Sequence, residues 1–208
     1  MLFDSDDKAG AGSRKKRSRS VRWSLYRAGA FSAVLILGGC SLIGALFAKS
    51  QAEAPAVQTV DYVDLTRYAG KWHQIAFFPT RFQGKCTIDT TATYTIRSDG
   101  KVGVLNECKT LEGKSKSISG TARIEDRDSN AKLQVRFFWF VPAGDYWIIA
   151  LDPEYRYAVV GEPDRKYLWI LARSPSIKNS LYQDLVRKAR DQGFDVSRLQ
   201  LTSTLLPN

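Results

Sequence analysis

The chain has 208 residues, of which 44% are hydrophobic and 12% aromatic; this composition supports one sizeable core and excludes a disordered chain. The formal charge is +10, but the first 27 residues carry eight basic and three acidic side chains and so account for half of it. The remaining positive charge is spread without a basic stripe, which argues against a nucleic-acid partner.

The N-terminal part of the chain resembles a targeting segment. Residues 1–27 form a basic leader, and residues 28–48 form a run of 21 positions without a charged side chain. Such a run makes a helix of about 30 Å, long enough to cross a bilayer. Because basic residues favour the cytoplasmic side, the leader is predicted to stay in the cytoplasm and the rest of the chain to cross the membrane.

Cys40 leaves two anchoring routes open. The stretch Leu37-Gly38-Gly39-Cys40 is similar to the lipobox of bacterial lipoproteins, which predicts lipidation at Cys40 and an outer-membrane location. The apolar run continues through Phe47, however, and this favours an uncleaved transmembrane helix in the inner membrane. On either route the folded part lies in the periplasm, joined to its anchor by a linker over residues 49–60.

Residues 61–208 are predicted to form one all-β domain. Between Tyr68 and Arg173 no long segment keeps a helical period, whereas β-branched and aromatic runs alternate with seven turn signals. The predicted strands cover residues 70–78, 87–97, 101–109, 114–125, 131–140, 146–151, 156–161 and 167–173. Connections this short make neighbouring strands antiparallel, and eight such strands close into an up-and-down barrel with room for one small ligand.

The order of the strands predicts which end of the barrel is closed. Gly70 and Trp72 lie at the start of the first strand and Arg173 at the end of the eighth, so all three belong to the same end. A guanidinium can cover an indole face there and close the barrel. The opposite end carries the first loop, residues 79–84, and is predicted to be the mouth.

The C-terminal part is predicted to form one amphipathic helix over residues 180–192, packed outside the barrel. Leu181, Leu185 and Ala189 recur every fourth residue, Ser180 and Gln183 have the spacing of a capping box, and Gly193 is a suitable stop. The stretch 196–201 is predicted to rejoin the sheet as an extended segment.

Three separated blocks resemble a known family. They are Gly70-Lys71-Trp72, the run Tyr157–Arg173, and Gly193-Phe194-Asp195 at the end of the helix. Together they are similar to the lipocalins, in particular the bacterial outer-membrane lipocalins and the apolipoprotein D-like group. This resemblance implies an eight-stranded calyx that binds, stores or transports a fatty acid or lysophospholipid in the bacterial cell envelope, usually on a lipoprotein anchor.

A cavity for such a ligand needs apolar walls and a few polar groups that orient the ligand. On the first strand, Gln74, Ala76 and Phe78 share the inward parity of Trp72. The candidate ligand-binding residues are Gln74, Tyr94, Phe137, Tyr146 and Trp169. Alternatively, each of these side chains packs in the core without contacting a ligand. If side chains filled the whole barrel, the protein would have a structural role in the envelope. Arg81 and Lys85, in or beside the first loop, are candidate partners for a headgroup.

Cys86 and Cys108 fall at the mouth end of one hairpin. Ideal pairing about its turn places Cys86 opposite residue 112 or 113, and a bulge would bring it closer to Cys108. In an oxidising compartment the two are predicted to form a disulfide that stiffens the mouth. Two free thiols are the alternative.

The alternative function is an enzyme of the same fold, acting on a lipid or an oxidised lipid. The single histidine, His73, follows Trp72 and therefore faces the other side of the strand. One histidine excludes a two-histidine metal site, and a His-based catalytic group inside the barrel is hard to build. The sequence thus predicts a binding protein whose partner is an amphipathic lipid, with no catalytic residue, metal or cofactor.

Overall fold

The computed structural model describes residues 55–80, 86–202 and 205–208. The predicted leader and apolar segment, with Cys40, lie outside the described residues, as do Arg81 and Lys85. Within the described part, no helix is long and apolar enough to span a bilayer.

Eight long antiparallel strands form the body of the molecule, as predicted. They are β1 Gly70–Phe77, β2 Cys86–Ile96, β3 Val102–Thr110, β4 Ser115–Ile124, β5 Lys132–Arg136, β6 Gly144–Leu151, β7 Tyr157–Gly161 and β8 Leu168–Ala172. The predicted extension of β5 to residue 140 is wrong. Val135 pairs with Gly144, the first residue of β6, so the hairpin has already closed and the residues after Arg136 form its turn.

The sheet closes into a barrel because β1 pairs on both sides. Gly70 of β1 lies opposite Tyr94 of β2, and His73 lies opposite Ala172 of β8. A ninth strand, β9 Gln200–Leu201, pairs with β1 beyond the barrel, so the C-terminal stretch does rejoin the sheet. A 3₁₀ helix over Val196–Arg198 precedes β9.

A bulge in β1 reverses the side-chain alternation of this strand. Its pairing with β8 shifts between Gln74 and Ala76, so the residues beyond the shift change faces. The prediction that Ala76 and Phe78 face inward with Trp72 is therefore wrong. Phe78 packs against Phe194 outside the barrel, with ring centroids 6.3 Å apart.

Two buried apolar clusters hold the fold together. One fills the closed half of the barrel around Trp72, and the other lies between the barrel and helix α2, Asn179–Asp191. The helix buries Tyr182, Leu185, Val186 and Ala189. Since both clusters are built from residues between 57 and 205, this part of the chain carries its own core.

The start of α2 differs from the predicted capping box. The helix begins after Lys178, whose own side chain makes no capping hydrogen bond. Instead, the backbone N–H of Asn179 donates to Leu206 O at 2.9 Å, and that of Ser180 donates to Asn208 Oδ1 at 2.7 Å. The C-terminal tail thus satisfies the orphan amides. At the other end Gly193, with φ of 83°, follows the helix as predicted.

Candidate functional site

The end of the barrel that holds the start of β1 is closed by Trp72 and Arg173. Trp72 is fully buried, and its Nε1 donates to Tyr68 O at 2.8 Å. The guanidinium carbon of Arg173 lies 4.0 Å from the centre of the Trp72 ring. The same guanidinium donates to four carbonyls around the start of β1, those of Arg67 at 2.7 Å, Tyr68 at 3.2 Å, Ala69 at 2.8 Å and Lys71 at 2.9 Å.

A short helix that sequence reasoning missed supplies two of these carbonyls, those of Arg67 and Tyr68. Helix α1 covers Leu65–Tyr68, and Asp64 caps it by accepting from the backbone N–H groups of Thr66 and Arg67. An Asp before a turn of polar residues was the available signal. Gly70 then turns the chain into β1 with φ of 93°, and a Cβ there would lie 3.3 Å from Arg173 Nη1.

The opposite half of the barrel contains a cavity of about 430 Å³. Its rim is formed by Thr80, by the β5–β6 connection and by the β7–β8 connection, all at the predicted mouth end. Its apolar wall consists mainly of Val104, Val135, Phe137, Trp169 and Leu171.

Four of the five candidate ligand-binding residues line this cavity. They are Tyr94, Phe137, Tyr146 and Trp169. The fifth, Gln74, is buried but is not part of the cavity wall. These four residues come from β2, from the β5–β6 connection, from β6 and from β8, and they lie far apart along the chain.

Three tyrosines form a hydrogen-bonded chain below the cavity. Tyr146 Oη lies 2.8 Å from Tyr68 Oη and 2.8 Å from Tyr94 Oη. Burial raises the pKa of Tyr94 to about 12 and lifts the pKa values of Tyr68 and Tyr146 well above their ordinary value. All three side chains are therefore neutral phenols at physiological pH. Tyr94 and Tyr146 are also part of the cavity wall.

Three further polar groups in the wall have no hydrogen-bond partner among the described residues. They are Asn106 Oδ1, Trp169 Nε1 and Thr80 Oγ1. Asn106 was not among the predicted site residues, although it follows Val102 and Val104 at the inward positions of β3. The available signal was an amide side chain at an inward position of a strand whose preceding inward residues are apolar.

The described rim carries more negative than positive charge. Asp145, Glu162 and Lys166 belong to it, and the ammonium of Lys166 is paired with Asp164 at 2.6 Å. Glu162 is mostly buried, and burial raises the pKa of its carboxyl. Its Oε1 accepts from the backbone N–H of Lys166 at 2.6 Å, which fixes the β7–β8 turn.

Exposed apolar side chains surround the mouth. Trp139 is 86% exposed and Phe140 66% exposed in the β5–β6 connection, and Leu111 is 80% exposed in the β3–β4 connection. Because Phe137 and Val141 on either side of the aromatic pair line the cavity, this apolar rim continues directly into the cavity wall.

The two cysteines of the domain lie near each other at the mouth. Two shifts in the pairing of β2 with β3 place Cys86 opposite Thr110, two residues beyond Cys108. Within the second shift, between Ile88 and Thr91, Asp89 has φ of 48°, and its carboxylate pairs with Lys109 at 2.8 Å. The irregularity therefore moves Cys86 closer to Cys108 than ideal pairing would.

His73 lies on the opposite face of β1 from Trp72 and is not part of the cavity wall. Burial and the nearby Lys71 lower the pKa of its imidazole. The cavity wall thus contains no imidazole among its described residues.

Comparisons with known proteins agree with this architecture. Residues 63–204 match the model of the lipocalin-like domain family. Temperature-induced lipocalin-1 of Arabidopsis thaliana is 41% identical over 157 residues, which cover 72% of this chain and 84% of the relative. Outer membrane lipoprotein Blc of Escherichia coli K12 is 41% identical over 143 residues, covering 68% of this chain and 80% of the relative. Insecticyanin of the tobacco hornworm, Manduca sexta, has a similar fold, with a TM-score of 0.59 at 20% identity, covering 74% of this chain and 93% of the other.

Proposed function

The chain belongs to the lipocalin family, whose members bind small hydrophobic ligands, and we propose that its barrel holds a fatty acid or lysophospholipid in the bacterial cell envelope. The observation that carries the proposal is the cavity. It is open at one end, closed at the other by Trp72 and Arg173, and lined mainly by apolar side chains. Its volume of about 430 Å³ lies in the usual range for small-molecule sites.

An acyl chain has enough driving force to enter such a cavity. Each buried methylene contributes roughly 0.8 kcal/mol, so about a dozen give a large favourable term before the costs of ordering the ligand are subtracted. The cavity wall is already shaped by packed strands, which keeps those ordering costs low on the protein side.

The headgroup would remain at the rim. Asp145 and Glu162 lie there, and Lys166 is already paired with Asp164. The described rim therefore suits the ammonium of a zwitterionic lysophospholipid better than a free carboxylate. Arg81 and Lys85 remain candidate partners for a phosphate or carboxylate.

The envelope location rests on the N-terminal sequence and on the relatives. Residues 28–48 form the predicted signal or anchor, and Cys40 is the predicted lipidation site. The Escherichia coli relative is an outer membrane lipoprotein by name. The exposed apolar rim around Trp139 and Phe140 supports exchange of the ligand with a lipid surface, because interfacial aromatic side chains bind at the headgroup level.

A Cys86–Cys108 disulfide would suit an oxidising compartment. The pairing of Cys86 opposite Thr110, close to Cys108, supports it. Such a bond would tie β2 to β3 at the mouth.

The enzyme alternative has no observation in its favour. His73 faces away from the cavity, and Thr80 Oγ1, the one aliphatic hydroxyl of the described cavity wall, has no hydrogen-bonded base. We therefore propose binding and transport without a catalytic step.

A cavity-filling variant tests the proposal. In Val135→Trp the new indole occupies the cavity, whereas in Gln134→Trp, one residue earlier on β5, it lies on the outer face. We expect the first variant to lose at least about tenfold in affinity for a fluorescent fatty acid, and the second to bind like the unmodified chain. Equal affinities in all three proteins would refute binding inside the barrel.

A further inference from the structure

Position 106 interrupts the apolar inward face of β3. Val102 and Val104 precede Asn106 on this face, and all three are buried. Only 2% of Asn106 is exposed, and its side chain belongs to the cavity wall. An amide at this position needs a hydrogen-bond partner, because a buried polar group without one destabilises the folded state.

No described residue provides that partner for the amide oxygen. Asn106 Oδ1 accepts no hydrogen bond from any described side chain or backbone amide. A ligand that enters the cavity can satisfy this oxygen if it carries a hydrogen-bond donor at the depth of Asn106. An ionised carboxylate, a ketone or an ester cannot fulfil this role, because each offers only acceptors.

The same cavity also contains spare donors. Trp169 Nε1 is buried without an acceptor among the described residues. The chain of Tyr68, Tyr146 and Tyr94 has three hydroxyl hydrogens but only two hydrogen bonds among its members. One hydrogen is therefore left over, and it is available to the cavity when it belongs to Tyr94 or Tyr146, which both line the cavity.

We infer that the ligand carries an uncharged hydroxyl group inside the barrel, beside Asn106, and that the preferred ligand class is therefore a hydroxylated acyl chain. This inference rests on the proposed function. A hydroxyl donates to Asn106 Oδ1 and at the same time accepts from Trp169 or from the tyrosine chain. No charged partner is required, in agreement with the neutral groups around it.

The position of Asn106 along β3 fixes the place of the hydroxyl on the ligand. Thr110, the last residue of β3 at the mouth, lies four positions after Asn106. At about 3.4 Å per residue on a tilted strand, Asn106 lies roughly 10 Å below the rim. A headgroup held at the rim thus places the matching hydroxyl near the middle of the chain rather than next to the headgroup.

A matched pair of ligands tests this inference. Stearic acid and a hydroxystearic acid with its hydroxyl near the middle of the chain are titrated against the barrel domain from Pro55 onward, by calorimetry without detergent. We expect the hydroxylated acid to bind about tenfold tighter than stearic acid, because its hydroxyl group makes hydrogen bonds that stearic acid cannot make. Equal or weaker binding of the hydroxylated acid would overturn the inference while leaving the proposed function intact. Failure of both acids to bind would overturn the two together.

Two variants separate the amide from general packing. Asn106→Leu removes the acceptor at similar size, so we expect this variant to bind the two acids with about equal affinity. Its ligand-free melting temperature should rise, because the unpartnered amide is gone. Val104→Ala, on the same strand and in the same cavity, should weaken both acids equally and keep their ratio. A preference that persists in a folded Asn106→Leu protein would contradict the role of Asn106.

Discussion

The guanidinium of Arg173 covers the ring of Trp72 at 4.0 Å and so joins the first and last strands of the barrel. The same group holds the carbonyls of the segment that leads into β1. The Gly-x-Trp sequence at positions 70–72 thus belongs to the closed end, about the length of the barrel from the mouth. We predict that this sequence stabilises the closed end of the barrel and does not contact the ligand.

Truncation of Trp72 should therefore cost stability and leave binding intact. In Trp72→Ala we expect the free energy of unfolding to fall by about 3–5 kcal/mol, as for other buried aromatic residues. Equilibrium denaturation measures this loss, and Trp139→Ala, at an exposed position, is the matched control with almost no change. A stable Trp72→Ala protein that no longer binds ligand would contradict this role.

The buried tyrosines predict an alkaline limit to stability. Burial raises the pKa of Tyr94 from its ordinary 10.0 to about 12, so the folded state keeps the phenol neutral where the unfolded chain ionises. The stability contribution is present below about pH 10 and is lost as the pH rises toward about 12, at about 1.4 kcal/mol per pH unit for each such group.

Phenolate absorbance measured alongside circular dichroism tests this prediction. We expect one group of tyrosines to ionise near pH 10, and Tyr68, Tyr94 and Tyr146 to ionise only as the barrel unfolds. If all tyrosines ionised together near pH 10 while the barrel stayed folded, the neutral hydrogen-bonded chain would be wrong.

The apolar rim predicts binding to a lipid surface. Trp139→Ser should lower the partitioning of the barrel domain onto phosphatidylethanolamine and phosphatidylglycerol vesicles by about fivefold or more, with little change in stability or ligand affinity. Tyr62→Ser provides the control, since Tyr62 is 60% exposed and precedes α1 near the closed end. Equal losses of vesicle binding in both variants would contradict a role of the rim, because any exposed aromatic side chain would then have the same effect.

The proposed disulfide predicts a redox-sensitive stability. Under oxidising conditions we expect replacement of Cys86 and Cys108 together by serine to lower the free energy of unfolding by about 3 kcal/mol. A reducing agent should lower the stability of the unmodified chain by a similar amount and leave the double variant unchanged. Two cysteines that react fully with a thiol reagent in the folded, oxidised protein would contradict the bond.

Local sequence patterns were sufficient for the order of the strands, and the sequence also pointed to four residues of the cavity wall. β-branched and aromatic runs between turn signals located the eight strands, and Tyr94, Phe137, Tyr146 and Trp169 are the candidate residues that line the cavity. Parity counted along one strand fails where pairing inserts a bulge, and for this reason Phe78 was assigned to the wrong face.

Features that depend on distant parts of the chain could not be predicted in this way. The start of α2 is set by Leu206 and Asn208, which supply acceptors from the C-terminal tail, and the Ser180–Gln183 spacing carried no information about them. Asn106 is different, because its inward position was readable from Val102 and Val104. What the sequence lacked was the evidence that no neighbouring side chain would satisfy its amide.

Native mass spectrometry of the barrel domain from Pro55, purified without detergent, tests the central claim most directly. The proposed function predicts that a bound lipid of acyl-chain type is released from the protein on activation, and that a delipidated sample takes up one fluorescent fatty acid per barrel. An empty barrel that also fails to take up the fatty acid would contradict a lipid-binding function.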